Sequence, residues 1–493
     1  MNVMNWLVVY PEIVLLAMAC VIAITDLYVT DPARRQTFWL TQATLAGVAV
    51  LHASFFSGDF TAYGMQGMVV NDSLGHLLAL FATLATMVSI GYAQSYIAER
   101  DMLQGEYFTL ALFALLGISV MLSANNFLVI YLGLELMSLA TYALVALRRD
   151  HGVSTEAAMK YFVLGAVASG FLLYGLSMMY GATGSLALPE VFSAINTGRI
   201  NAQVLTIGLV FVVAGLSFKL AVAPFHMWVP DVYHGAPTAV TLLVAGAPKI
   251  AAFAITFRLL VEGMTGLAED WQQMMIFVSV ASLVVGNFAA IAQTNLKRML
   301  AYSTIAQMGF VALGFTPTVV SGNTLSAANG YSSAMFYLVT YVLTTLGTFG
   351  LILFMSRAGH EADEIQDLSG LARRSPWLAG VMAVFMFSLT GIPPTVGFYA
   401  KLAVLQALVS TNLAGYIWLA VIAVLLSLIG AFYYLRIIKV MYFEEPADPS
   451  PVVRSGGVSA LLAANGAAVL LLGLLPGGLM AMCRDAVVRA LTS

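Results

Sequence analysis

The chain has 493 residues, of which 60% are hydrophobic and only 9% are charged, and its formal net charge is −3. Soluble domains usually carry about 25% charged residues, so this composition excludes a soluble protein. The two cysteines, Cys20 and Cys483, lie at opposite ends of the chain and form no CxxC pair for zinc or an iron–sulfur cluster. The sequence also lacks a P-loop and a nucleotide-binding GxGxxG turn. We therefore expect an integral membrane protein with no metal, no redox cofactor and no nucleic-acid partner.

Apolar runs of about 20 residues, the length that crosses a bilayer as a helix, recur along the whole chain. Transmembrane β-strands would alternate over about 10 residues, and this pattern is absent. The N-terminal run "MNVMNWLVVYPEIVLLAMA" lacks the basic segment of a cleaved signal, so we expect it to be the first span. The sequence predicts an all-α integral membrane protein with about 14 transmembrane helices, centred near residues 16, 47, 84, 115, 136, 169, 213, 249, 281, 308, 343, 390, 427 and 469.

Basic residues are distributed unevenly between the two sides of the predicted spans. Cytoplasmic loops carry the excess of lysine and arginine, and 14 of the 21 such residues fall in loops after odd-numbered spans. We therefore expect these loops in the cytoplasm and both termini on the outer side. The residues are Arg34, Arg35, Arg100, Arg148, Arg149, Lys160, Lys297, Arg298, Arg357, Arg373, Arg374, Arg436, Lys439 and Arg454. The opposite side and the tails hold Arg199, Arg258, Arg484 and Arg489.

Four charged residues fall deep within predicted spans. Glu135 lies in the fifth span, Lys219 in the seventh, Lys249 in the eighth and Lys401 in the twelfth. A charge in hydrocarbon costs about 3 kcal/mol or more, so such residues usually pair or line an internal path. A static ion pair between Glu135 and Lys219 would explain two of the four. It leaves Lys249 and Lys401 without partners, which favours a path whose lysines are charged only part of the time.

Two spans share a short lysine motif and a nearby break. The sequence around Lys219, "FKLAVAP", is echoed five spans later around Lys401 by "YAKLAVLQ", and Pro224 and "TGIPPTVG" (residues 390–397) interrupt the two helices. An odd offset inverts the second unit, which predicts two inverted five-helix repeats, although a short echo also arises by chance in an apolar chain. The predicted units are an N-terminal three-helix segment (1–100), a first half-channel (105–262), a second half-channel (270–445) and a C-terminal transmembrane helix (456–493).

The chain resembles a known family in four longer motifs, "LGLELMSLATYAL", "FKLAVAPFHMWVPDVYHGAPTAVT", "LKRMLAYSTIAQMGF" and "SLTGIPPTVGFYAKL". They are similar to the antiporter-like membrane subunits of respiratory complex I (NADH-quinone oxidoreductase), which are related to multisubunit cation/proton antiporter subunits. The resemblance covers essentially the whole chain. Its length leaves no room for the long lateral helix of one branch of the family, and Lys401 stands where another branch is expected to carry a glutamate.

The resemblance implies roles for individual residues in proton translocation. Glu135 would be the acid of the fifth span, Lys219 the lysine of the first broken helix, Lys249 the connecting lysine and Lys401 the terminal lysine. His226, just beyond Pro224, would lie between Lys219 and Lys249, although a histidine near a helix break also serves as a hydrogen-bonded structural group. Hydroxyl groups that could hold waters or pack helices belong to Ser138, Tyr142, Tyr233 and Thr238.

The expected function is that of a proton-translocating subunit of complex I in a bacterial inner (plasma) membrane. NAD, FMN, iron–sulfur clusters and quinone are expected in partner subunits, so this chain itself would carry no redox site. Its partners would be the lipid bilayer and the other membrane subunits of the complex. Three alternatives remain open: a subunit of a sodium/proton antiporter, a membrane subunit of a related hydrogenase, and a non-pumping structural subunit.

Two further expectations concern the loops and the half-channels. The first half-channel is expected to open to the cytoplasm and the second to the outside, with the three lysines in one line in the membrane plane. The charged loop "SRAGHEADEIQDLSGLARRSP", residues 356–376, is interpreted as a solvated connector, because charge-rich loops are normal surface.

Overall fold

The structure is a computed structural model, and it describes residues 5–58, 60–198, 200–319, 326–356, 359–446, 452 and 456–492. These residues are almost wholly helical, with one small hairpin of strands β1 (Ala62–Gly64) and β2 (Val69–Asn71). The helices are α1 Tyr10–Asp26, α2 Arg35–Gly58, α3 Ser73–Ala98, α4 Gly105–Leu122, α5 Phe127–Val145, α6 Gly152–Thr183, α7 Leu188–Thr197, α8 Ala202–Leu220, α9 Trp228–Gly235, α10 Thr238–Ala245, α11 Ala247–Thr256, α12 Ala268–Ile291, α13 Leu296–Leu313, α14 Ala327–Met355, α15 Leu371–Arg374, α16 Pro376–Thr390, α17 Val396–Val409, α18 Ala414–Phe443, α19 Gly456–Leu474 and α20 Gly477–Thr492.

The all-α membrane architecture predicted from the sequence is confirmed. In the described part of the chain, twelve helical segments are long and apolar enough to cross a membrane. Each of the fourteen predicted centres lies in a helix. Two of them fall outside those twelve segments: α13 is too polar to qualify, and residue 390 ends the shorter apolar helix α16, which α17 follows. The count of fourteen spans therefore stays a prediction.

Some predicted loop or tail residues lie in helices. A π-helix, Phe257–Gly263, continues α11 and buries Arg258, which pairs with Asp72 at 2.6 Å and Glu262 at 2.8 Å. Arg258 is therefore not an outer-loop residue, because two carboxylates neutralise it inside the protein. Arg484 and Arg489 lie in α20, a helix that follows the predicted last span. Arg199, Arg357, Arg454 and Ser493 lie outside the described residues.

The centre of the bundle is formed by two helical segments that are covered by protein on almost all sides. In the segment Thr238–Gly263, which comprises α10, α11 and the π-helix, the most apolar stretch is entirely buried, and in α14 this share is 89%. These two segments therefore form the core, and the polar side chains that they carry lie inside the protein. The break between α10 and α11 falls at Gly246, three residues before Lys249.

Two helices are interrupted by breaks with the same backbone plan. α8 ends at Ala221 and α16 ends at Gly391, and both residues adopt the left-handed conformation that commonly ends helices, with φ of 69° and 88°. A cis peptide bond follows in each break, Ala223–Pro224 in the first and Pro393–Pro394 in the second. The chain then re-enters a helix, α9 or α17.

The two lysines of the sequence echo occupy different positions relative to these breaks. Lys219 lies two residues before Ala221, in the last turn of α8. Lys401 lies ten residues after Gly391, in the middle of α17. When the two breaks are superposed by their left-handed residues, the position that matches Lys219 is Leu389. The "KLAV" echo therefore does not mark equivalent positions, although a break does lie beside each lysine.

Candidate functional site

Lys219 is buried between α8 and α5. Its Nζ donates a hydrogen bond to Ser138 Oγ at 2.8 Å, and Ser138 lies one turn after Glu135 on α5. Glu135 interacts electrostatically with Lys219, yet its Oε1 is buried and has no hydrogen-bond partner among the described residues. The ammonium is thus held by a hydroxyl rather than by the nearby carboxylate. This arrangement argues against a static ion pair and leaves room for the Glu135–Lys219 distance to change.

Lys249 lies near the start of α11 and is 1% exposed. Its Nζ is 4.9 Å from the centroid of the Trp228 ring, the distance of a cation–π contact. Trp228 in turn stacks on Tyr161, with centroids 4.6 Å apart, and on Phe218, the neighbour of Lys219 in the chain, at 5.4 Å. Lys249 also interacts electrostatically with Lys219. An aromatic group therefore occupies the interval between the first two lysines.

His226 was predicted to occupy that interval. It lies in the irregular segment between α8 and α9, where it is half-buried, and its Nδ1 is buried without a hydrogen-bond partner in the described chain. The next residue, Met227, is 64% exposed. Trp228 is turned inward, because its indole Nε1 donates at 3.0 Å to the carbonyl oxygen of Phe218, which also accepts from the backbone N–H of Ala221. The contacts thus link the two lysines through Trp228, and a relay role for His226 stays a prediction.

Lys401 is held by neutral oxygens beside the second break. Its Nζ donates to the carbonyl oxygens of Leu389 at 3.1 Å and Thr390 at 2.8 Å, and to Ser427 Oγ at 2.8 Å. The two carbonyls belong to the last turn of α16, where no further helical N–H groups can reach them. The lysine therefore caps the broken helix, and its charge is balanced by dipoles instead of by a carboxylate.

A buried polar network starts at the same carbonyl. Gln307 on α13 donates from Nε2 to Leu389 O at 3.0 Å and to Tyr434 Oη at 2.9 Å, and its Oε1 accepts from Tyr337. Lys401 and Gln307 thus share one acceptor. Gln307 belongs to the motif "LKRMLAYSTIAQMGF". The polar residues of this motif recur at helical spacing within an apolar span, which is the sequence signal for a buried polar network.

Further hydroxyl groups extend this network from the second break. Tyr341 Oη donates to Thr304 Oγ1 at 2.7 Å, and Thr344 Oγ1 lies 3.3 Å from Ser388 Oγ. A cavity of about 10 Å³ lies among these side chains and Gln307, which is about the volume that one water molecule requires. The network can therefore conduct a proton by exchange between hydroxyls and a small number of waters.

The loop of residues 356–376 is not a simple solvated connector. Glu361 reaches into the bundle, where Tyr96 Oη donates to its Oε1 at 2.7 Å and Arg100 Nη2 pairs with its Oε2 at 3.0 Å. Burial tends to raise the pKa of Glu361, but the Lys297 ammonium, hydrogen bonds from Thr238 and Tyr96, and Arg100 outweigh it and hold that pKa below its usual value. The sequence reading missed this residue because a loop carboxylate carries no periodic signal.

Buried lysines beside broken helices are typical of ion-translocating membrane subunits. A family model described as "NADH:quinone oxidoreductase/Mrp antiporter, TM" matches residues 124–467, and the chain belongs to this family. Two relatives, both NADH-quinone oxidoreductase subunit N, cover nearly the whole chain. The protein of Polaromonas naphthalenivorans is 60% identical over 487 residues, which are 98% of this chain and 97% of the relative. That of Herminiimonas arsenicoxydans is 59% identical over 497 residues and 100% of both chains.

Solved structures show the same fold. A chain of respiratory complex I from Thermus thermophilus, determined with bound aureothin, has a TM-score of 0.80 and is 31% identical, with 96% of this chain and 98% of that chain covered. A chain of the Mrp complex from a Dietzia species has a TM-score of 0.85 at 20% identity, with 100% and 98% covered. The second likeness concerns the fold alone. The family resemblance predicted from the four motifs is confirmed.

Proposed function

We propose that this chain is a proton-translocating membrane component of a bacterial NADH-quinone oxidoreductase, of the subunit N type. Membership of the family and two subunit N relatives at 59–60% identity over nearly the full length support this assignment. The observation that carries the mechanism is the position of three lysines in apolar helices, each beside a helix break: Lys219 and Lys249 are buried and Lys401 is partly buried. Such charges are costly in a membrane and persist where they serve ion movement.

The energy for pumping comes from reactions in other subunits. NADH oxidation and quinone reduction take place on NAD, FMN, iron–sulfur clusters and quinone held by the partners, and this chain contributes no redox step. Moving one charge against the membrane potential costs about 2.3 kcal/mol per 100 mV. The partners must therefore change the relative free energies of the protonated and neutral lysines by at least this amount in each cycle.

Within this chain, protons are exchanged along Glu135, Lys219, Lys249 and Lys401. Glu135 stabilises the protonated form of Lys219 when the two side chains approach, and Ser138 holds the ammonium when they separate. Protonation of Lys219 disfavours protonation of Lys249, since like charges repel across the intervening Trp228. The common backbone plan of the two breaks supports the assignment of two inverted repeats, with α8–α9 and α16–α17 as corresponding elements.

This proposal is tested by removing the charges singly. In purified complex reconstituted into vesicles, Glu135→Ala and Lys249→Ala should lower proton pumping and coupled quinone reduction several-fold, while the complex still assembles. Full pumping by either variant in an assembled complex would contradict the proposed path. Ser54→Ala is a suitable control, because this hydroxyl is on α2, far from the four charges in the chain, and is bonded only to the carbonyl of Leu51 within its own helix.

The orientation in the membrane follows from the basic loops. Fourteen of the 21 basic residues mark one side, which would be cytoplasmic, so both termini would lie on the outer side. A tag placed after Ser493 should react with impermeant reagents in intact spheroplasts, and a tag in the loop at Arg373 should not. The reverse labelling pattern would overturn this orientation.

A further inference from the structure

Glu361 is the meeting point of three parts of the bundle. Its Oε1 accepts hydrogen bonds from Tyr96 on α3 and from the hydroxyl of Thr238 at the start of α10, and its Oε2 accepts from Arg100. Tyr96 Oη also accepts from the backbone N–H of Thr238 at 3.1 Å. The side chain of Glu361 is 26% exposed, so the carboxylate faces water on one side and the protein interior on the other.

The surroundings of Glu361 identify its side of the membrane. Arg100 and Lys297, which belong to separate loops in the basic-residue count, both lie beside it. Lys297, at the start of α13, is 3% exposed and donates to the carbonyl oxygen of Ala236 at 3.1 Å. Asp363, two residues after Glu361, lies 3.9 Å from the same ammonium. This face is the one that the positive-inside rule assigns to the cytoplasm.

Two helices lead inward from this face with polar side chains on their buried surfaces. α13 begins beside Lys297 and carries Thr304 two turns further in and Gln307 one turn beyond that. α14 runs in the opposite direction, and its hydroxyl residues follow one another at helical spacing toward the same face. They are Tyr337, Tyr341, Thr344, Thr345, Thr348 and Ser356.

The polar side chains of α13 and α14 form a stripe. Its inner end lies at Lys401 and its outer end lies near Glu361. At the inner end, Gln307 shares the Leu389 carbonyl with Lys401. At the outer end of α14, Ser356 Oγ accepts from the backbone N–H of Ala362, the residue after Glu361, at 3.1 Å. About 12 Å separate Thr348 from Ser356 along the helix, a distance that water molecules would have to bridge.

In the opposite direction from Lys401, α17 itself offers no comparable groups among its buried residues. The residues of α17 that are buried beyond Lys401 are Val404, Ala407 and Leu408, all of them apolar. The ring of Phe310 also lies 5.3 Å from the lysine Nζ. The polar side chains around Lys401 therefore extend toward the cytoplasmic face, whereas the sequence-based expectation opened the second half-channel to the outside.

We infer that Glu361 is a cytoplasmic proton-uptake residue that supplies Lys401 through the hydroxyl groups of α13 and α14. This inference rests on the proposed function. The Glu361 carboxylate takes one proton from bulk water and releases it to the first water or hydroxyl of the path. Each hydroxyl then passes its own proton on and receives another, until the neutral amine of Lys401 becomes an ammonium. Over the whole transfer Glu361 and the hydroxyl groups return to their starting protonation states, and Lys401 gains the one proton that was taken from bulk water.

Chemical rescue tests this inference. In purified complex in nanodiscs, where no gradient can form, Glu361→Gln should slow NADH:quinone turnover several-fold, because a surface proton acceptor is lost. Added formate, a small carboxylate that can carry protons to the vacated position, should restore much of the rate, and equal chloride should not. Glu364→Gln is the matched control: it is the same change three residues later, at a side chain that accepts only from Asn295 at 3.3 Å and caps its own turn. It should turn over normally.

Each other result contradicts the inference. Normal turnover of Glu361→Gln would show that proton uptake does not depend on this carboxylate. Slow turnover that formate fails to restore would show that Glu361 has only a structural role in holding the helices together. If Glu361→Gln fails to assemble, Glu361→Asp retains the acid but lengthens the transfer, so its turnover should show a larger solvent deuterium isotope effect than wild type. An unchanged isotope effect would oppose the inference.

A parallel variant separates this inference from the proposed function. If Lys401→Ala is inactive while Glu361→Gln is normal, only the uptake assignment fails. If Lys401→Ala also pumps normally, the proposed path through the lysines itself fails.

Discussion

The two broken helices share a backbone plan but use their lysines differently. In the first, the indole of Trp228 and the backbone N–H of Ala221 donate to the carbonyl of Phe218, and Lys219 donates to Ser138 near Glu135. In the second, Lys401 itself caps the free carbonyls of Leu389 and Thr390. Lys219 thus takes no part in capping the broken helix beside it, whereas Lys401 caps the broken helix beside it. A break in a membrane helix can therefore be closed either by a dedicated neutral donor or by the translocating group.

The difference in caps has a functional consequence. Protonation of Lys219 can respond to the position of the Glu135 carboxylate without disturbing the break in α8–α9. A neutral Lys401 still offers two N–H groups, whereas its protonated form offers three, which is the number of acceptors around it. Loss of the proton from Lys401 therefore removes one of its three hydrogen bonds to these oxygens. In the second break, proton movement and the structure of the helix end are coupled.

The largest expected effect comes from replacing each lysine by methionine. Both Lys219→Met and Lys401→Met should lower pumping several-fold, and both remove the cost of burying an ammonium. Only Lys401→Met also leaves a carbonyl without a donor: Thr390 O loses its hydrogen bond at a cost of about 1–3 kcal/mol, while Leu389 O keeps the one from Gln307. Amide hydrogen exchange should therefore become faster in residues 385–400 of Lys401→Met and stay unchanged in residues 215–230 of Lys219→Met. Equal exchange changes at the two breaks would remove the distinction between them.

Trp228→Phe keeps an aromatic ring but removes the indole N–H, so it should increase local unfolding at the first break. Loss of the indole N–H leaves Phe218 O with only the backbone N–H of Ala221 as donor. A hydrogen bond contributes about 0.5–1.5 kcal/mol, so local opening of residues 215–230 should become roughly 2- to 13-fold more frequent. Trp271→Phe serves as the control, since that indole caps Met264 O at 3.0 Å in another helix connection. It should leave exchange in residues 215–230 unchanged. An unaltered rate in Trp228→Phe would show that another donor closes this break.

Smaller effects are expected at the two left-handed residues. Ala221→Gly should slow local exchange at the first break, because alanine in this conformation costs about 1–2 kcal/mol that glycine avoids. Gly391→Ala should have the opposite effect at the second break. Its added Cβ would also lie 2.8 Å from Lys401 Cδ, so the lysine must shift and pumping should fall. A gain of stability in Gly391→Ala would contradict the conformation assigned to this residue.

The smallest effect is expected from Ser427→Ala. Lys401 retains two carbonyl acceptors when this hydroxyl is lost, so pumping should fall by less than about twofold. Ser138→Ala removes the hydroxyl that holds Lys219 and should reduce pumping more strongly. Comparison of initial pumping rates in vesicles checks the order, and a stronger defect in Ser427→Ala would reverse the assignment of free and capping lysines.

Features repeated over a whole span could be predicted from the sequence. Runs of about 20 apolar residues locate the helices, and the rarity of charge in them singles out Glu135, Lys219, Lys249 and Lys401. The two breaks were also predictable, because Pro224 and "TGIPPTVG" interrupt apolar helices. These signals are local in the chain, and the structure has helices and breaks at the positions that they indicate.

Features that depend on which side chain fills a particular space could not be predicted. Spacing alone does not tell whether His226 or Trp228 turns inward after a break, since the outcome depends on the hydrogen bond from the Trp228 indole to the carbonyl of Phe218. The echo around Lys219 and Lys401 was similarly misleading, because four matching letters do not fix a position relative to the helix end. Glu361 reaches partners more than 120 residues away in the chain, and no single-sequence pattern indicates such a contact.

The most direct test of the central claim is the number of protons pumped per NADH oxidised by the Lys219→Ala complex in sealed vesicles. Lys219 is buried, belongs to the path and caps no break, so its loss should remove proton transfer without opening the helix. We expect a ratio several-fold below that of wild type in a fully assembled complex. A wild-type ratio in that complex would contradict the claim that the buried lysines carry protons.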